Sequence, residues 1–185
     1  MMVALVAIAV GLSLGALSGG SVLGLVEVSL RFEWLVLVLF VVQAISRGRI
    51  AGIGASAIGI AVWAFTCLAL LAFLSPDVRR PGVWIVGVGI ALNMLVVLVN
   101  GGMPIILPES AVSSTTVASV AQSMGFYQMA GPGTVLTALG DVIVLGWGGY
   151  RALMSCGDVL LAIGVAVFIV DAMANDSVTR ARAQA

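Results

Sequence analysis

The chain has 185 residues, of which 62% are hydrophobic and only 9% are charged, and its mean hydropathy is +1.23. Soluble domains usually carry about 25% charged residues, so this composition excludes an ordinary soluble domain. Every cationic side chain is an arginine. The net charge is zero, which excludes the basic surface that nucleic acid requires. There is no histidine, the commonest metal ligand and general base.

Apolar runs of roughly the length that spans a bilayer recur along the chain. They predict an all-α fold, a polytopic membrane helix bundle that forms a single domain over residues 1–185. About five transmembrane helices are predicted, at residues 2–18, 33–46, 50–74, 83–100 and 156–174. No positive charge precedes the first run, so we expect a retained helix rather than a cleaved signal peptide. The polar tail at 175–185 is expected to be frayed.

Apolar and polar residues alternate over 26–34, with a period of two rather than 3.6. Hydrocarbon cannot satisfy an open strand edge, so we expect an extended segment that lies in the membrane interface. Trp34 would mark the headgroup level, where tryptophan is enriched.

Small residues recur at Gly52, Ala55, Ser56 and Gly59 in the predicted helix at 50–74. This spacing predicts close helix packing, either inside the monomer or across a homodimer face. Both cysteines lie in or beside apolar runs, so we expect packing residues, with no disulfide, no metal site and no cofactor.

The connection at 101–155 is long and sparsely charged, and it begins sharply at Gly101-Gly102-Met103-Pro104. Connections of this length are uncommon without structure of their own and are often functional. A surface helix is predicted over 110–127. Residues 134–145 are apolar but short and contain Asp141, so they predict a re-entrant or interfacial half-helix in this fourth loop.

Two asparagines, Asn93 and Asn100, lie seven residues apart and therefore share one face of a helix. Asn93 is interpreted as a hydrogen-bonding residue between helices and Asn100 as a helix-end residue, with a substrate or ion contact as the alternative. Ser155-Cys156-Gly157-Asp158 matches a capping box at the start of the last helix, which would account for Asp158.

Asp141 is harder to explain, because a carboxylate at membrane depth costs about 2.5 kcal/mol or more. Arg151 is its natural partner, and the alternative is that Asp141 caps a half-helix at the headgroup level. Asp141 and Asp158 each stand in a Gly-Asp-Val triplet. A pair of carboxylates can act as acid and base or bind a cation.

Several of these motifs together resemble a family of small bacterial membrane proteins of unknown function, DUF5317. The most specific parts are Asn100-Gly101-Gly102-Met103-Pro104, Leu139-Gly140-Asp141 and Ser155-Cys156-Gly157-Asp158, preceded by Glu33-Trp34-Leu35 and by Gly19-Gly20. The resemblance covers nearly the whole chain. The resemblance implies this order of elements and implies no activity. Ser18 and Ser21 stand where the family usually carries arginine.

The leading hypothesis is a non-enzymatic accessory, scaffold or lipid-contacting protein of the bacterial inner membrane, because no catalytic set is present. Its partners would be lipid and a membrane protein or a second copy. One alternative is a small transporter or channel component with a polar site at Asn93, Asn100 and Asp141. The other is a membrane enzyme that uses Asp141 and Asp158. Counting arginines, five on one side against three, favours an outside N-terminus and an inside C-terminus.

Overall fold

The architecture was analysed in a computed structural model that describes residues 2–27, 38, 57–106, 126–147 and 150–183. The helices are α1 (Met2–Leu17), α2 (Leu23–Glu27), α3 (Ala57–Leu74), α4 (Val83–Asn100) and α5 (Cys156–Ala183). The strands are β1 (Met103–Ile105), β2 (Tyr127–Met129), β3 (Ile143–Trp147) and β4 (Tyr150–Met154). Single 3-10 turns occupy Ser75–Asp77 and Thr137–Leu139.

Three helices of the described part are long and apolar enough to cross a membrane: Ala57–Asp77, Val83–Asn100 and Cys156–Ala174. A shorter apolar helix covers Val3–Leu17. Apart from Val38, the predicted helix at 33–46 lies outside the described residues. The first residues of the predicted helix at 50–74 and most of the small-residue face also lie outside them. The tail at 175–185, which the sequence predicts to be frayed, is helical through Ala183 as part of α5. Its last residues include alanines and arginines, which favour helix.

The segment at 101–155 contains strands, so the fold is mostly rather than entirely helical. Strand β1 pairs in parallel with β2, and β3 pairs with β4 in an antiparallel hairpin. The half-helix predicted over 134–145 is wrong: this stretch holds the turn Thr137–Leu139 and the start of β3. Its Val-Ile-Val-Leu run favours strand, and a Gly-Gly pair follows where a two-residue hairpin turn is needed.

Two other predictions in irregular segments are tested only at their edges. Val26 and Glu27 begin the predicted extended segment at 26–34, but in the structure they are helical and belong to α2. The rest of that segment lies outside the described residues. The surface helix predicted over 110–127 differs at its last residue, because Tyr127 begins β2. Residues 110–125 are outside the described part.

Helices α4 and α5 are antiparallel and approach closely through glycines. A Cβ atom at Gly89 would lie 2.7 Å from the carbonyl oxygen of Gly157, and one at Gly82 would overlap the carbonyl oxygen of Gly164. Both pairs are seven residues apart, so each helix presents one glycine stripe to the other. The absence of side chains lets the two backbones come together.

Helix α1 packs on α5 in the parallel direction. Gly11 lies against Ala166 and Ile169, and Gly15 lies against Met173. The Ser21 amide then donates a hydrogen bond to the Met173 carbonyl, 3.0 Å away, which fixes the turn after α1 to α5. Helix α5 is therefore held on one side by α4 and on another by α1.

Helix α5 begins beside the middle of α4 rather than beside its end. Gly157 is level with Gly89, and α4 continues for eleven residues to Asn100, about 16 Å at 1.5 Å per residue. The described part of the segment at 101–155 packs beside this end of α4. Its Met103 and Phe126 join Trp63 of α3 and Val97 of α4 in the buried core.

Candidate polar site at the start of the last helix

The first turn of α5 is closed by a capping box. The Asp158 amide donates to Ser155 Oγ at 2.9 Å, and the Ser155 amide donates to Asp158 Oδ2 at 3.4 Å. Each side chain thus satisfies a backbone N–H that the helix leaves open, and the carboxylate gains from the positive helix start. Asp158 is therefore held in place by its own helix.

Asn93 of α4 joins this capping box across the helix interface. Its Nδ2 donates to Asp158 Oδ1 at 2.9 Å, and its Oδ1 accepts a hydrogen bond from Ser155 Oγ at 2.7 Å. Asn93 is 2% exposed and Ser155 is fully buried. Gly157 makes room for the amide, because a Cβ atom there would overlap Asn93 Oδ1. We call Asn93, Ser155 and Asp158 the polar triad.

Asn100, at the end of α4, holds a different part of the chain. Its Nδ2 donates to the carbonyls of Val96 and Val135, and its Oδ1 accepts from the Val135 amide, each at 2.9 Å. The Asn100 carbonyl also accepts from Gln128 Nε2 at 2.9 Å. Gly101 has φ +71° and turns the chain away from the helix. Asn100 thus clamps the long segment to α4 and stands apart from the polar triad.

Asp141 is positioned by β1. Its amide donates to the Pro104 carbonyl at 2.8 Å, and its carbonyl accepts from the Ile106 amide at 3.3 Å. The residue is 6% exposed. Arg151 lies in β4 opposite Gly146, but its side chain is outside the described part, so the predicted pairing with Asp141 stays a prediction.

Asp141 and Asp158 line one small cavity, together with Trp63, Val97, Met103, Phe126 and Tyr127. The Trp63 and Phe126 rings meet edge to face, with centroids 4.9 Å apart. The cavity volume is about 10 Å³, which suffices for roughly one water molecule. Asp141 and Asp158 thus border a common space, but an organic substrate of several heavy atoms does not fit it.

Sequence reasoning missed part of this arrangement. Nothing local signals that Trp63 and Phe126 would close the cavity, because their contact depends on the long segment folding back. The role of Gly157 could have been recognised from its spacing of seven to Gly164. Among residues 2–27, 57–106, 126–147 and 150–183, no group of three His, Cys, Asp or Glu side chains is arranged to hold a metal ion.

Comparison with known families shows which family this chain belongs to. The profile of a family of unknown function, DUF5317, matches residues 27–170, which is more than half of the chain. The chain belongs to the DUF5317 family. The DUF5317 match includes the polar triad, Asn100 and Asp141, and excludes all of α1. No curated protein and no solved structure matches the chain.

Proposed function

We propose that this DUF5317 protein is a non-enzymatic integral protein of the bacterial inner membrane, an accessory or scaffold subunit that contacts lipid and a partner. Three membrane-length helices support the membrane placement. So do large apolar side chains exposed on the outer faces of the helices, such as Leu5 (60% exposed), Phe65 (71%) and Leu98 (52%). Lipid is the solvent in which such faces are stable.

The second part of the proposal is that the segment at 101–155 re-enters the membrane. If α4 crosses a hydrocarbon core of about 30 Å, the start of α5 lies near the midplane, about 16 Å from the end of α4. Backbone groups at that depth need internal partners. The amides of Met103 and Asp141 have them in the carbonyls of Phe126 and Pro104.

The orientation proposed from the arginines fits the directions of the described helices. Helices α1 and α5 run parallel, and α4 runs against α5. The two ends of the described chain therefore lie on opposite sides of the proposed membrane, in keeping with an outside N-terminus and an inside C-terminus. Five arginines would then lie inside.

The observation that carries the non-enzymatic role is that the polar triad bonds within itself. Asn93 uses its amide oxygen on Ser155 and one amide hydrogen on Asp158. The cavity beside Asp158 holds roughly one water molecule. These groups thus stabilise the junction of α4, α5 and the long segment. This geometry favours a fixed surface for binding over a site for chemistry, and it counts against an enzyme that uses Asp141 and Asp158.

Purification of the full chain from host membranes in mild detergent tests the proposal. We expect a defined partner or retained lipid with the parent, and a loss of it with Asn100→Ala, because the clamp on Val135 is gone. Ser18→Ala is the matched control, since Ser18 Oγ also donates to a helix carbonyl, that of Leu14 at 2.8 Å, at the end of α1. A strictly monomeric parent without partner or lipid would refute the proposal.

A small transporter or channel component is the second candidate. Asp141 and Asp158 line one cavity where α5 begins beside the middle of α4, and interrupted helices line the transport sites of many carriers. Cation flux into proteoliposomes should then fall in Asp141→Asn and persist in the control Ser18→Ala. Equal flux in Asp141→Asn and the parent removes this site from consideration.

A further inference from the structure

The turn between α3 and α4 lies beside the middle of α5, not beside its end. A Cβ atom at Gly82 would overlap the carbonyl oxygen of Gly164 and lie 2.9 Å from Phe168 Cα. Helix α5 stays apolar for six residues past Gly164, about 9 Å, until Asp171. The turn at 75–82 is therefore recessed from the level at which α5 becomes polar.

This recessed turn carries a net positive charge of one. Arg79 is exposed, and Arg80 lies with Nε 3.2 Å from Asp77 Oδ1 and its side chain 39% exposed. Asp77 offsets one of the two arginines. Because Arg80 is paired with Asp77, the exposed Arg79 is the arginine that an anion reaches more easily.

Apolar and aromatic side chains border the arginines on the same turn. Val78 is 48% exposed, and Trp84, in the first turn of α4, is 54% exposed. Arginine beside exposed tryptophan at the start of an apolar helix is typical of the headgroup level of a membrane. The connection between α3 and α4 thus carries cationic and apolar side chains close together on its surface.

An arginine beside the apolar surface of α5 is stabilised when headgroups and water reach its side chain. Guanidinium also binds phosphate through two parallel hydrogen bonds. We propose that the turn at 75–82 binds the headgroup phosphate of an anionic phospholipid, drawn into the recess beside α5. Arg79 is the main contact, and Trp84 lies against the glycerol and upper acyl region. The inference rests on the proposed membrane placement.

The test uses the full chain reconstituted in nanodiscs of phosphatidylcholine alone or mixed with phosphatidylglycerol, with bound lipid counted by native mass spectrometry. The parent should enrich phosphatidylglycerol, and Arg79→Gln should lower that enrichment about fivefold, the value of one arginine near an anionic surface. Arg79→Lys is the matched control and should keep most of it, because lysine also binds phosphate. Asp77→Asn should raise it.

Three outcomes would overturn the inference. Equal enrichment in the parent and Arg79→Gln removes the turn as the binding site. Displacement of the bound lipid by inorganic phosphate assigns the site to free phosphate instead. Failure of the parent to enter nanodiscs contradicts the membrane placement itself, and this failure is distinguishable from the loss of lipid preference in an inserted protein.

Discussion

Replacing Asn93 with leucine tests whether the polar triad holds α4 to α5. Leucine has the same number and branching of side-chain heavy atoms as asparagine but cannot hydrogen-bond, so the change removes the bonds to Asp158 (2.9 Å) and Ser155 (2.7 Å) without opening a large cavity. The site is 2% exposed, so bulk solvent does not replace either bond.

The expected loss follows from the two bonds. A hydrogen bond to a charged group contributes about 1.5–3 kcal/mol and a neutral one about 1 kcal/mol. Bonds between membrane helices average only about 0.6 kcal/mol each, because the unfolded chain in lipid also finds partners. Asp158 keeps its bond from the Ser155 amide in the variant. We therefore expect a loss of about 2 kcal/mol in the free energy of unfolding, between bounds of about 1 and 4 kcal/mol.

Unfolding in mild detergent titrated with sodium dodecyl sulfate measures this loss. The set is the parent, Asn93→Leu, Ser155→Ala and the double variant, which together give the coupling between Asn93 and Ser155, expected near 1 kcal/mol. Leu95→Ala is the control on the same helix, because Leu95 is 45% exposed and its truncation should cost well under 1 kcal/mol. If Asn93→Leu unfolds at the parent's midpoint with no coupling, the triad does not stabilise the helix pair.

Three further outcomes can be checked on the same purified protein. Gly157→Ala should destabilise by about 1–3 kcal/mol, because the added methyl group overlaps Asn93 Oδ1; an unchanged unfolding midpoint contradicts the close approach. Asn100→Ala should speed hydrogen exchange at the Val135 amide, which loses its acceptor, and unchanged exchange would show that another group holds this segment. Cys67, 2% exposed, should react with maleimide only after unfolding, and labelling of the folded protein would place it at the surface.

Local features of this fold can be predicted from the sequence because neighbouring residues determine them. Helices α4 and α5 begin close to the predicted residues because apolar composition and capping chemistry act within one or two turns. The hydrogen bonds between Ser155 and Asp158 belong to this class, since the two residues are three apart.

The contacts between distant residues were not predictable in the same way. The seven-residue spacing identifies a shared face for Asn93 and Asn100, yet only Asn93 reaches Asp158, because α5 begins beside the middle of α4. That offset depends on which glycines of the two helices meet, and single-helix periodicity carries no information about it. The β3–β4 hairpin differs from the sequence prediction for another reason. In a chain of membrane-type composition an apolar run favours helix, whereas β-branched residues next to Gly-Gly favour a hairpin.

The order of synthesis delays both bonds that Asn93 makes in the polar triad. Asn93 and Asp158 are 65 residues apart in sequence, so α4 leaves the ribosome roughly 3–13 s before its partner at ordinary elongation rates. During that interval the Asn93 amide lacks the acceptor that it has in the finished fold. The pair of α4 and α5 can therefore close its polar contact only after both helices have been made.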